Sequence, residues 1–174
     1  MVKRALHFCV LAGGLTLITS GAASAQNAVL TAQLSGGEET PAPGLNTGAF
    51  GSAEVGVDSE NEEVSVNLRL FNLPTGSTAG HIHAGARGTP GPVILDFNFP
   101  SGRTGDVTLN LRLGRAQFRA RPEIGINTFE DALQTIASGN AYVNIHTTQY
   151  PAGEIRGQLT RRNNGQGQQQ QQQQ

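Results

Sequence analysis

Val64-Ser65-Val66-Asn67-Leu68-Arg69-Leu70 alternates apolar and polar residues without a break. Successive side chains of an extended chain point to opposite faces, so Val64, Val66, Leu68 and Leu70 line one face and Ser65, Asn67 and Arg69 the other. That is a half-buried β-strand. Similar runs bounded by turn residues occur at Val29 to Leu34, Gly48 to Val57, Gly80 to His83, Pro92 to Phe97, Val107 to Leu113, Ala141 to Thr147 and Gly153 to Leu159. Eight strands at this spacing predict a mostly β fold, an antiparallel β-sandwich or small Greek-key-like barrel. The composition agrees: 23 glycines, no Trp and only 14% charged residues in 174 suit short strands joined by tight turns.

One segment breaks the alternation. Thr128 can cap a helix with Asp131 at its third position, Phe129, Leu133 and Ile136 fall on one stripe, and Gly139 ends it. This short helix is expected to cover an open end or edge of the sheet. The mixed-charge stretch Arg115 to Gly125 has no assigned element.

The ends read differently. Lys3 and Arg4 precede an apolar run from about Ala5 to Ile18, and Ala23-Ser24-Ala25 offers small residues for cleavage before Gln26. Residues 1–25 are therefore expected to be a secretory signal peptide. The alternative, a membrane anchor, needs more length than this run has to cross a hydrocarbon core of about 30 Å. The expected location is extracellular or periplasmic, with no transmembrane segment after cleavage. Cys9 is the sole cysteine and lies in that leader, so the mature chain is expected to have no disulfide, thiolate metal site or cysteine nucleophile. Loss of Lys3 and Arg4 leaves 10 basic against 13 acidic residues, which gives no electrostatic reason to expect a nucleic-acid partner. Residues 161–174, rich in Gln, Asn and Gly, are expected to be a disordered tail beyond a domain of residues 26–160.

Three constellations carry potential chemistry. In His81-Ile82-His83, strand parity sends Ile82 to the core and both imidazoles to the other face. In Ala141 to Thr147, Val143 and Ile145 claim the core, leaving Tyr142, Asn144 and His146 opposite. If the two strands are neighbours, His81, His83 and His146 converge and can share one ion; neutral imidazole suits copper or zinc. The plainer alternative is a set of ordinary surface histidines. Gly85, Gly88 and Gly91, interleaved with Pro90 and Pro92, read as a rigid loop that can wall off the histidines. A phosphate-binding loop is excluded, because no helix pattern follows and no Lys with Ser/Thr accompanies the glycines. In Pro151 to Gln158, Glu154 and Arg156 share a face. A charge pair or backbone hydrogen bonds holding the last strand is the structural reading, and a catalytic Glu the alternative.

Taken together, these blocks resemble the CHRD domain family. The matching residues are Leu34-Ser35-Gly36 with Glu39-Thr40-Pro41; Gly80-His81-Ile82-His83 with Gly85, Gly88, Gly91, Pro92 and Val93; and Gly139 to Thr147 with Pro151 and Gly153 to Gln158. Where this chain has Pro41-Ala42-Pro43, the family usually shows a tighter proline pair. The resemblance implies an extracellular module, first described in chordin, a growth-factor-binding protein, and found in bacterial secreted proteins. Glu39, in the first matched block, is a fourth candidate ligand. The His-x-His pair is also similar to copper-zinc superoxide dismutase. Three mature histidines and no disulfide cysteines exclude the two-metal enzyme but leave a single-copper site open.

The leading expectation is a secreted, non-catalytic binding module for an extracellular or envelope ligand, able to hold one copper or zinc ion. The alternatives are a single-copper redox enzyme and a purely structural envelope component.

Overall fold

The computed structural model describes residues 27–162. The leader expected at 1–25 lies outside this range, as does the tail beyond residue 162. Among the described residues nine strands form one antiparallel sheet: β1 Ala28–Ser35, β2 Phe50–Asp58, β3 Glu63–Leu73, β4 Ser77–Ala84, β5 Val93–Asp96, β6 Gly105–Leu113, β7 Ala141–Thr147, β8 Ile155–Gln158 and β9 Thr160–Arg161. The order across the sheet is β5-β4-β7-β8-β1-β2-β3-β6, with β9 paired to β1 beside β8. The sheet curls into a nearly closed barrel whose terminal strands are β5 and β6.

The expected strands all form. The quoted stretch lies in β3, where Val64, Val66, Leu68 and Leu70 are at most 1% exposed. The last pair of strands differs at its edges. β8 is shorter than expected, and pairing continues to Arg161, whose register partner is Leu30. The Arg162 N–H then donates to Val29 O at 2.9 Å. Strand pairing therefore continues past Thr160.

The helix, α1 Phe129–Ala137, is capped as anticipated. Thr128 Oγ1 accepts from the Asp131 N–H at 3.2 Å, and Asp131 Oδ2 accepts from the N–H groups of Thr128 and Asn127. Phe129, Leu133 and Ile136 are buried against β1, β2 and β4. Gly139 stops the helix with φ +81°, a left-handed conformation that glycine alone adopts without strain.

The unassigned stretch after β6 closes the barrel. It makes two single-turn 3-10 segments, Arg115–Gln117 and Pro122–Ile124. Between them Phe118 bridges to Leu95, the Arg119 N–H donates to Ile94 O at 2.9 Å and Arg121 Nε donates to Val93 O at 2.7 Å. The open hydrogen-bonding edge of β5 is thus taken up by the chain itself. Phe118 stacks edge-on against Phe129, joining this cover to the helix.

β7 is buried along its whole length and β8 likewise. Their inner residues Val143, Ile145 and Ile155 join the core. Their other face is covered by loops on which the candidate site is built.

The helix holds the barrel by its apolar stripe more than by its cap. Phe129→Ala is expected to lower unfolding free energy by about 3–5 kcal/mol, and Thr128→Ala by about 1 kcal/mol; urea denaturation of the two variants measures both.

Candidate functional site

β4 and β7 are hydrogen-bonded neighbours, with His81 opposite Asn144 and His83 opposite Tyr142. His146 pairs with Ala79 and so lies diagonal to His81, a distance that ring side chains span. Ile82 is fully buried in the core, as parity requires. On β4's other side the register with β5 slips between Ile82 and His83, leaving Ile94 as the extra residue beside the site; such bulges re-aim neighbouring side chains.

The three histidines converge. One ring nitrogen from each of His81, His83 and His146 lies within 4.8 Å of the other two. The face they occupy is not open surface, however: His83 and His146 are each 8% exposed and Tyr142 and Asn144 less. The Gly85–Gly91 loop folds back over it. Gly91 must be glycine because a Cβ there would lie 1.7 Å from Ala84 O, and Gly88 takes φ +73°. Gly85 is confined more mildly, its Cβ position falling 3.1 Å from Thr89 O.

Hydrogen bonding sets the tautomers. His83 Nδ1 lies 2.9 Å from Gly91 O, and His146 Nδ1 lies 3.0 Å from Pro151 O. A carbonyl oxygen only accepts, so both Nδ1 atoms carry the hydrogen and both Nε2 atoms present lone pairs. His83 Nε2 is buried with no partner. His146 Nε2 lies 3.1 Å from His81 Nδ1. Two metal–nitrogen bonds of about 2.0–2.1 Å meeting at 90–109° separate their nitrogens by about 2.8–3.4 Å. The separation of His81 Nδ1 and His146 Nε2 falls within that span, and His83 and His146 are oriented from behind by backbone carbonyls, as metal-ligating histidines usually are.

Burial keeps the rings neutral. It pushes His83 down to about 4. Burial, with the neighbouring His146, lowers His81, and burial lowers His146. Neutral imidazole is the form that ligates.

Around the histidines lies a shell that sequence reading only partly named. Tyr142 stacks on His83 at 4.8 Å between centroids, and its hydroxyl and the Gly91 backbone hydrogen-bond each other. The Arg156 guanidinium lies 3.4 Å from the Tyr142 ring centroid and donates to Ala86 O and Thr89 O. Gln158 Nε2 donates to Gly85 O, Gly139 O and Ala141 O. β8 thus pins the glycine loop through side chains reaching backbone carbonyls. Tyr142 and Asn144 were legible by parity with His146; the part played by Gln158 had no signal beyond its place in the last strand.

Of the two structural alternatives for Glu154 and Arg156, the charge pair does not form, whereas Arg156 does bond backbone carbonyls. Glu154 is fully buried, and its two oxygens accept from Thr47 Oγ1 and Thr147 Oγ1, each at 2.6 Å. It ties the loop before β2 to the end of β7. Glu39 lies outside the group of three histidines. It is buried beside Asn144 and Arg156, and burial raises its carboxyl to about 7 against the opposing pull of Arg156.

These shifts give the metal-free domain a pH signature. The unfolded chain protonates its histidines near 6.5, whereas the folded chain does so lower, so protons favour the unfolded state below 6.5. Stability should fall as pH drops from about 6.5 towards 4, with His83 alone contributing roughly 3 kcal/mol by pH 4. Glu39 works the other way, since its raised carboxyl takes up a proton in the folded state first, adding stability as pH falls from about 7 towards 4.5. Thermal melts in chelator from pH 7.5 to 4.5 should show a net decline that His83→Gln flattens and Glu39→Gln steepens.

Among the described residues no helix is long and apolar enough to cross a membrane. No curated protein and no solved structure matches the chain. The model of the CHRD domain matches residues 30–159, from β1 through the residue after β8 and including all three histidines. With three quarters of its length so matched, the chain belongs to the CHRD domain family.

Proposed function

We propose that this CHRD domain is an exported metal-binding module that holds a single copper or zinc ion through His81 Nδ1, His83 Nε2 and His146 Nε2. The observation that carries the reading is the pair of Nδ1–H groups anchored on Gly91 O and Pro151 O, which leaves both Nε2 lone pairs available, that of His146 lying 3.1 Å from His81 Nδ1 and that of His83 buried without a partner. Three neutral nitrogen donors suit either metal. They leave a coordination position for a further ligand from outside the triad. The module acts by binding in the extracellular space or cell envelope. Export is supported by Lys3 and Arg4, the short apolar run after them and Ala23-Ser24-Ala25.

Metal-free protein titrated with Cu(II) and Zn(II) should take up one equivalent of at least one of them. His81→Ala, His83→Ala and His146→Ala should each weaken binding by about 100-fold or more, while Glu39→Gln leaves it within a few-fold. Binding of both metals no tighter than in the triple histidine variant ends the proposal. Export is checked separately: the mature protein should begin at Gln26 by mass spectrometry, and an intact Met1 in the secreted fraction would contradict it.

A further inference from the structure

Glu39 has a carboxyl with no assigned work. It forms part of the wall of a cleft of about 440 Å³ between two loops, residues 39–45 before β2 and residues 149–153 between β7 and β8. The cleft is at the small end of the range for organic ligands, about 300–1,000 Å³. Pro41, Pro43, Leu45, Tyr150 and Pro151 supply its apolar walls, and no Lys, Arg or His lines it.

Glu39 Oε1 is buried and makes no hydrogen bond, and Asn144 Oδ1 close by is in the same condition. Both atoms crowd against Gly153, another residue of the cleft wall: a Cβ on Gly153 would lie 2.8 Å from each of them. Two acceptors without a donor are a specific deficit, since buried polar groups are nearly always satisfied and a missing partner costs about 1–3 kcal/mol. The nearest cation, Arg156, does not fill it. Its guanidinium is engaged by Ala86 O, Thr89 O and the Tyr142 ring.

The geometry points to this cleft as a binding site for a small organic ammonium ion with a compact apolar body. The ammonium has three donors and a positive charge for the Glu39 carboxyl, Tyr150 offers an aromatic face for the cation, and the prolines enclose the hydrocarbon part. The inference is independent of the histidine centre: it uses none of the three imidazoles.

Cyclohexylammonium, cyclohexanol and cyclohexanecarboxylate share one body and differ in charge, so they separate the terms. Titrated at pH 8 into the full chain and followed by amide NMR shifts, cyclohexylammonium should bind saturably, moving Tyr150, Ala152 and Gly153, and at least 10-fold tighter than cyclohexanol. Cyclohexanecarboxylate should bind more weakly still. Glu39→Gln should abolish the preference for the ammonium over the alcohol, and Tyr150→Ala should weaken it, the second variant altering only a half-buried side chain. Metal uptake should be unchanged in both. Equal binding of ammonium and alcohol, a preference that survives Glu39→Gln, or a cleft that takes none of the three and holds only ordered water would overturn the assignment.

Discussion

The arrangement of this domain depends on a strand that is buried on both sides although only one side is apolar. Val143 and Ile145 of β7 face the barrel interior, while Tyr142, Asn144 and His146 face a second enclosed space. Polar groups removed from water must find partners, and the surrounding chain is organised around that demand. Pro151 O receives His146, and Gly91 O receives both His83 and Tyr142. The loops cover the face because their backbone carbonyls and amides are the partners. Cover and satisfaction are one device here.

Charge is handled in the same way at the start of β8. Glu154 and Arg156 are two residues apart and both buried, yet each is met by neutral groups: hydroxyls for the carboxylate, carbonyls and an aromatic face for the guanidinium. Hydrogen bonds to charged groups are stronger than neutral ones, so each ion can hold a segment that has little apolar surface of its own. Arg156 holds the glycine loop and Glu154 holds the approach to β2. The histidine centre is therefore braced from the adjacent strand as well as through its own Nδ1 atoms, and the Nε2 atoms of His83 and His146 are left out of that bracing.

Much of this was legible in the residues. Alternation in β3 and β7 identified strands and their core faces, because a period of two has one reading once a face is apolar. Parity alone separated Ile82 from His81 and His83. The Thr128–Asp131 pair marked the helix start, since the cap is a local interaction between residues three apart. What stayed hidden was long-range: that β4 lies beside β7, that Thr47 reaches Glu154 across 107 positions, and that Glu39 opens on a cleft instead of joining the histidines. Such pairings are decided by packing of distant segments, on which local pattern is silent. The stretch from Arg115 to Gly125 was unreadable for a related reason. It borrows its hydrogen bonds from β5 and has no period of its own.

That borrowed edge bears on how the chain reaches its folded state. β5 is only four residues long, and its outer hydrogen bonds are completed by residues that follow β6 in sequence. Until Phe118 to Ile126 dock, a partly folded molecule displays an unpaired strand next to fresh apolar surface, the combination through which chains associate with one another. Docking of this short cover is then the step that removes the open edge, and it places the defence against self-association in a segment that follows β6 in sequence yet closes on β5.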